Sequence, residues 1–179
     1  MKGIVFTEFL EMVEDKFGFE TADNIVSQAS LPSEGIYTAV GTYDHMEMVQ
    51  LVSNLSQESQ MEIPTLLQAF GHHLFSRFAA GYGHFFEGVP NAFTFLSKLE
   101  SYIHIEVKKL YPDAELPRFD IQFLDDQRLE MVYHSDRGFA DFAEGLLNGC
   151  IEHFDENIEI MRTNLDGSKK VRFVLTQHA

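Results

Sequence analysis

The feature that most limits what this chain can fold into is a change of period at Pro112. Up to Tyr111, apolar residues recur at helical spacing; beyond Pro112 they alternate with polar ones. Helices in one half and half-buried strands in the other predict an α+β fold. The stretch just before the change, Asn91 to Tyr111, reads NAFTFLSKLESYIHIEVKKLY. Asn91 is a good N-cap after Pro90, and Pro112 disfavours helical geometry in the residue before it. Ala92, Leu96, Leu99, Ile103, Val107 and Leu110 share one stripe, which predicts a helix about 30 Å long. Phe95, Tyr102 and Ile105 form a second apolar face, so the helix is expected at the centre of the domain. His104 lies between the two sectors, nearly in line with Phe93, Ser97, Glu100, Lys108 and Tyr111. Periodicity alone leaves two readings of His104: a metal ligand in a pocket, or an ordinary partly buried histidine.

The flanking segments follow the same two grammars. Lys2 to Phe6 is a short apolar start, and Phe6, Phe9, Leu10, Val13 and Phe17 line a first helix that stops at Gly18. Thr21 is placed to cap a second, and Asp44 with Glu47 has the spacing of a capping box for a third. Pro64 and Thr65 open a fourth, with Leu67, Phe70, Leu74 and Phe78 as its stripe and Gly81 as its end. Downstream, Phe119, Ile121 and Phe123 alternate, Asp125-Asp126-Gln127 turns the chain, and Leu129, Met131 and Tyr133 alternate again. A helix carries Phe139, Phe142, Ala143, Leu146, Leu147, Cys150 and Phe154. A hairpin of 158–165 with 171–176 closes around Asp166-Gly167. One domain over residues 1–179 is predicted. Its helical part covers about 1–62, and about 63–179 holds a four-stranded antiparallel sheet with helices.

Charge and cysteine content remove whole classes of function. The net charge is −15, and the longest basic cluster is Lys169-Lys170, so neither nucleic acid nor an anionic membrane is an expected partner. The N-terminal apolar run is broken by acids from Glu8 onward, unlike a signal peptide or a membrane span; a cytoplasmic protein is the default expectation. A single cysteine, Cys150, excludes an intrachain disulfide and a cysteine-rich zinc site. Seventeen Phe and no Trp suit either a plain core or an interior wrapped around a flat apolar ligand.

Tyr133, Ser135 and Arg137 form the pattern Y-x-S-x-R. On an extended strand, residues two and four apart point the same way, so two hydroxyls and a guanidinium would line one edge beside Leu129 and Met131. That comb suits the carboxylate of an amphiphilic acid, but a bare five-residue pattern of this kind reads first as the solvated exit of a strand.

His104, Pro117 in LPRF, Tyr133-x-Ser135-x-Arg137 and a helix bearing Gly145-Leu146, with Met1-Lys2-Gly3 and Phe70-Gly71, together resemble the H-NOX family across essentially the whole chain. These are haem nitric oxide/oxygen-binding domains, similar to the haem domain of soluble guanylate cyclase. The resemblance implies haem b (iron protoporphyrin IX) held between the two parts of the fold, with His104 as the iron ligand. It implies that Tyr133, Ser135 and Arg137 bind the propionates, and that Pro117 presses on the haem. Oxygen-binding members carry a distal tyrosine where this chain has Phe142. With Phe142 there, and Val5, Phe9, Leu74 and Leu146 as expected apolar neighbours, nitric oxide and carbon monoxide are expected to bind and oxygen to be excluded. The remaining histidines are expected to be ordinary surface or loop residues.

Resemblance to stand-alone bacterial members implies a non-enzymatic sensor that acts through a separate signalling protein, such as a histidine kinase or a cyclic-di-GMP enzyme. Two other classes stay open from sequence. A haem enzyme would need an acid–base pair, for which His72 or His73 with Arg77 is the candidate. A haem-free adaptor or lipid-binding module would share the outline.

Overall fold

The structure is a computed structural model and describes residues 1–178. Helix α1 (Gly3–Phe17) begins three residues earlier than its apolar stripe, because Lys2 pairs with Thr42 and the Gly3 amide bonds to Gly41 O at 2.8 Å. Gly18, at φ 91°, turns the chain straight into α2 (Phe19–Ser27), a conformation an L side chain resists. Thr21 therefore falls inside the first turn of α2 and does not cap it; its hydroxyl donates to Phe17 O at 3.1 Å. Asp44 does cap α3 (His45–Ser59), accepting from the Met46 amide at 2.9 Å. Glu47 does not complete the box. It is buried and accepts from the hydroxyls of Ser33 and Tyr37.

Helix α4 (Ile63–Gly81) joins two apolar cores. Leu66, Leu67, Phe70 and Leu74 pack with α1, α2 and α3, whereas Phe75 belongs to the core of the second half. A single 3-10 turn, Gly83–Phe85, follows.

The expected long helix is broken into pieces. Helix α5 (Ala92–Ser97) is capped by Asn91, whose side chain accepts from Thr94 N at 2.8 Å. Residues Leu99–Ile103 then form one wide turn, in which the Ile103 amide reaches back five residues to Lys98 O at 3.1 Å. Helix α6 (His104–Leu110) resumes the α pattern up to Pro112. The second apolar face is buried only at Phe95; Tyr102 and Ile105 are 40% and 49% exposed, so this segment forms one wall of the domain and not its centre.

Strands β1 (Arg118–Asp125) and β2 (Arg128–His134) form a hairpin. Helix α7 (Ala140–His153) leads to the second hairpin, β3 (Ile158–Asp166) and β4 (Lys170–Gln177). The antiparallel sheet has the order β1-β2-β4-β3, in an α+β fold of helices followed by ββαββ. Leu129, Met131, Tyr133, Val171, Phe173 and Leu175 cover its inner face, against Ala143, Leu147 and Cys150 of α7. Helix α7 also lies very close to α4. A Cβ on Gly71 would stand 2.1 Å from Phe142 O, and one on Gly145 would stand 2.1 Å from Gln68 O.

Candidate functional site

Between the two cores lies a cavity of about 570 Å³, in the range of small-molecule and cofactor sites. The stripe read from the sequence faces into it: Leu96, Leu99, Ile103, Val107 and Leu110 all line the cavity, and so does His104. Val5 of α1, Leu74 of α4, and Phe142 and Leu146 of α7 contribute apolar walls. Phe9 does not reach the cavity. One turn beyond Val5, it is wholly buried and packs edge-on against Phe70, with ring centroids 5.1 Å apart.

His104 is a half-buried imidazole of this site. Its Nδ1 stands 3.1 Å from Glu100 Oε1, which leaves Nε2 as the ring nitrogen without a protein partner. Burial pushes the pKa of His104 down, opposed by the Glu100 carboxylate, and so favours neutral imidazole, the form that ligates metals. Glu100 lies one helical turn upstream at i, i+4. That spacing was the available sequence signal for a role that residue-by-residue matching passes over.

The polar groups of the Y-x-S-x-R pattern share this lining. Tyr133, Ser135 and Arg137 all face the cavity, with Pro117 and Glu115 nearby. They are not teeth of one strand, because β2 ends at His134 and Arg137 sits in the turn that follows. Ser135 Oγ accepts from the Arg137 amide at 3.3 Å, and Tyr133 Oη accepts from the Phe139 amide at 3.1 Å. The Arg137 guanidinium pairs with the carboxylate of Glu115, itself a largely exposed side chain. The turn thus brings together what the strand was expected to align.

Two hydroxyls in the lining escaped the sequence reading, those of Tyr82 and Tyr111. They lie against each other; burial first, then the Tyr82 hydroxyl, raises the Tyr111 pKa to about 12. Nothing in the spacing of Tyr82, between two glycines, signals this partnership.

The alternative acid–base pair is elsewhere. His72 is tied to Glu152 at 2.6 Å and Arg77 to Glu8 at 2.9 Å, and neither these nor His73 line the cavity. His73 differs from the expected surface histidine: its Nε2 is buried without a hydrogen bond, 3.6 Å from Glu8, and burial lowers its pKa. Cys150 is buried, and burial pushes its thiol pKa far up, which keeps it a thiol.

The donor set favours a metal that brings its own ligands. Among the described residues no three His, Cys, Asp or Glu side chains converge as a metal cage, so an iron at His104 would take one ligand from the protein. A flat apolar macrocycle with acidic groups on one edge fits the shape and polarity of the lining. No helix among the described residues is long and apolar enough to cross a membrane.

The family description Haem-NO-binding matches residues 2–162. Among curated proteins there is no match. Among solved structures, the unliganded Fe(II) H-NOX protein from K. algicida is 40% identical, with a TM-score of 0.95 over 100% of this chain and 97% of that one. The IWP-051-bound H-NOX from Shewanella woodyi in the Fe(II)CO ligation state is 45% identical, with a TM-score of 0.85 over 99% and 95%. An H-NOX protein from S. oneidensis in the Fe(II)NO ligation state is 26% identical, with a TM-score of 0.92 over 100% of both chains. The chain belongs to the haem-NO-binding, or H-NOX, family of haem-binding gas-sensing domains, which are sensors and not enzymes.

Proposed function

We propose that this chain is a haem-based nitric oxide sensor. It holds haem b with His104 on the iron, binds nitric oxide and carbon monoxide, excludes oxygen, and regulates a separate signalling protein. The observation that carries the reading is the make-up of the cavity lining. His104, half-buried, has Nε2 free, two hydroxyls and a guanidinium from the end of β2 and the turn after it share the same lining, and apolar side chains make up most of the remainder. The solved relatives with carbon monoxide and nitric oxide ligation support the same gases here.

Bound haem would supply an iron able to take a diatomic gas. His104 would orient and anchor that iron. Arg137 offers the positive charge for the propionates in a protein of net charge −15, and Tyr133 and Ser135 offer hydroxyls beside it. The guanidinium, paired here with the exposed Glu115 carboxylate, would be the group to take a propionate in its place. Pro117 lines the cavity in the connection between α6 and β1 and is the residue that would press on the ring. Val5, Leu74, Phe142 and Leu146 carry no side-chain hydrogen-bond donor. Oxygen binding, which gains from a donor hydrogen bond, is therefore disfavoured relative to nitric oxide.

Were gas binding to loosen His104, the wall 99–110 would be freed from the group that Arg137 would hold on the sheet side, and the two parts of the fold could shift. The response is limited by the difference in gas affinity between the two arrangements. A cytoplasmic histidine kinase or cyclic-di-GMP enzyme is the class of partner proposed. Its docking face is expected to be basic, with association that weakens in salt.

The test is the visible spectrum of the purified ferrous protein under nitric oxide, carbon monoxide and air, beside that of His104→Ala. Spectral shifts with the first two gases only, together with loss of haem or a need for added imidazole in the variant, are expected. A stable oxygen complex would remove the selectivity claim. An unchanged ferrous spectrum at full haem content in His104→Ala would remove the ligand assignment. Phe142→Tyr is expected to raise oxygen affinity.

A further inference from the structure

The carboxylate of Glu100 makes two contacts through one oxygen. Oε1 stands 3.1 Å from His104 Nδ1, and the backbone amide of Phe119 donates to the same atom at 2.8 Å. Glu100 lies in the wide turn Leu99–Ile103, immediately before His104, and Phe119 is the second residue of β1, two after Pro117. Wide helical turns of this kind concentrate at functional sites because they set a side chain's angle independently of the regular ladder.

We infer that Glu100 is the positioning residue for His104 and the link by which a change at His104 reaches the sheet. This rests on the reading of His104 as iron ligand. A neutral imidazole carries its proton on either nitrogen, and only the unprotonated nitrogen ligates. The Glu100 carboxylate 3.1 Å from Nδ1 favours the tautomer with the proton there, so the lone pair of Nε2 is the one available in the cavity. The same contact would steady the ring's rotation and shift electron density toward Nε2, which strengthens it as a donor. The Glu100 side chain is 37% exposed, so solvent screens its charge; its effect is on tautomer, orientation and donor strength and not on global stability.

The second contact gives direction to the signal. When His104 moves, Glu100 Oε1 loses one of its two donors, and the Phe119 amide is left with a carboxylate free to turn. The Phe119 ring lies 6.4 Å from the His104 ring and 5.5 Å from that of Tyr133, whose hydroxyl accepts from the Phe139 amide at the start of α7. The path His104, Glu100, Phe119, Tyr133, Phe139 is one chain of contacts from the wall of the cavity to the helix beyond it. Contiguity makes the route available; measured coupling decides whether it is used.

The haem-loaded protein tests this with Glu100→Gln and Glu100→Ala. Glutamine keeps an acceptor without the charge, and alanine removes both. The Fe–His stretching frequency in resonance Raman spectra is expected to fall from wild type to Gln to Ala, with the ferric/ferrous potential rising in the same order. Haem transfer to a scavenger protein should quicken by on the order of 10-fold or more in Glu100→Ala, as for other removed partners of a ligating histidine. Hydrogen exchange at the Phe119 amide should quicken in Glu100→Ala and stay slow in Glu100→Gln. Wild-type stretching frequency and potential in both variants, with haem bound, would overturn the inference and leave His104 as ligand. Absence of an Fe–His band from the unmodified protein would instead remove the ligand reading, and the inference with it.

Discussion

Arg137 is the only positive side chain among the three polar residues proposed for the propionates, and that singles it out energetically. A hydrogen bond to a charged group contributes about 1.5–3 kcal/mol, against about 1 kcal/mol for a neutral pair. Arg137→Ala is therefore expected to speed haem dissociation roughly tenfold to a hundredfold, and Ser135→Ala about fivefold, at about 1.4 kcal/mol per factor of ten. Stopped-flow haem transfer measures both; an equal or larger effect in Ser135→Ala would show that charge is not what Arg137 supplies. His104, Tyr133, Ser135 and Arg137 were legible in the sequence because their spacing acts jointly, and all four reach the cavity. Phe9 was misread because an apolar stripe does not say where along a helix the neighbouring wall ends. Glu100 escaped because a carboxylate on a helix reads as a solvated group until its two partners are seen.

At the scale of elements, the order helices-ββαββ and both hairpins follow from period and turn chemistry, which are local. The break in the segment 91–111 does not, because the stripe runs through it undisturbed and a wide turn costs no apolar position. The close approach of α4 and α7 was also invisible, since it depends on Gly71 facing Phe142 O across the pair. Gly71→Ala must push the helices apart at that contact, and overpacking of this kind costs typically about 1–3 kcal/mol. Denaturant unfolding should show the loss, and an unchanged midpoint would mean that the pair accommodates a methyl group freely. A different tie joins the start of α1 to the loop after α6. Asp113 accepts from Thr42 Oγ1 at 2.6 Å and from Lys2 Nζ at 3.0 Å, which pulls its pKa down to about 2. A carboxyl lowered in the folded state stabilises above its unfolded value of about 3.9, and that contribution is lost as pH falls through the folded pKa. Asp113→Asn should be less stable than wild type at neutral pH, with the gap closing between about pH 4 and the folded pKa. A gap that widens on acidification would refute the tie.

The whole molecule is two apolar cores that share α4, with the cavity walled from both. Val5 and Leu74 belong to the helical side, and Leu96, Leu147 and Tyr133 to the sheet side. A cavity of this kind leaves side chains on each side without partners unless a ligand fills it, so the ligand binds the folded chain and not the unfolded one. At a free haem concentration of about 100 times Kd, linkage adds about 2.7 kcal/mol to the folded state. For a chain of this length about 1 kcal/mol moves the thermal midpoint by roughly 2–4 °C, so removing haem should lower it by roughly 5–10 °C. The loss should not be confined to one half. Amides of α1 and α4, and equally those of β1, β2 and α7, are expected to exchange faster in the haem-free protein, because both sets of elements wall the same space. Calorimetry and hydrogen exchange on the two forms measure these effects. Equal midpoints, or faster exchange confined to the sheet side, would mean that the cavity does not couple the two cores, and the proposed shift of the two parts of the fold against each other would lose its physical basis.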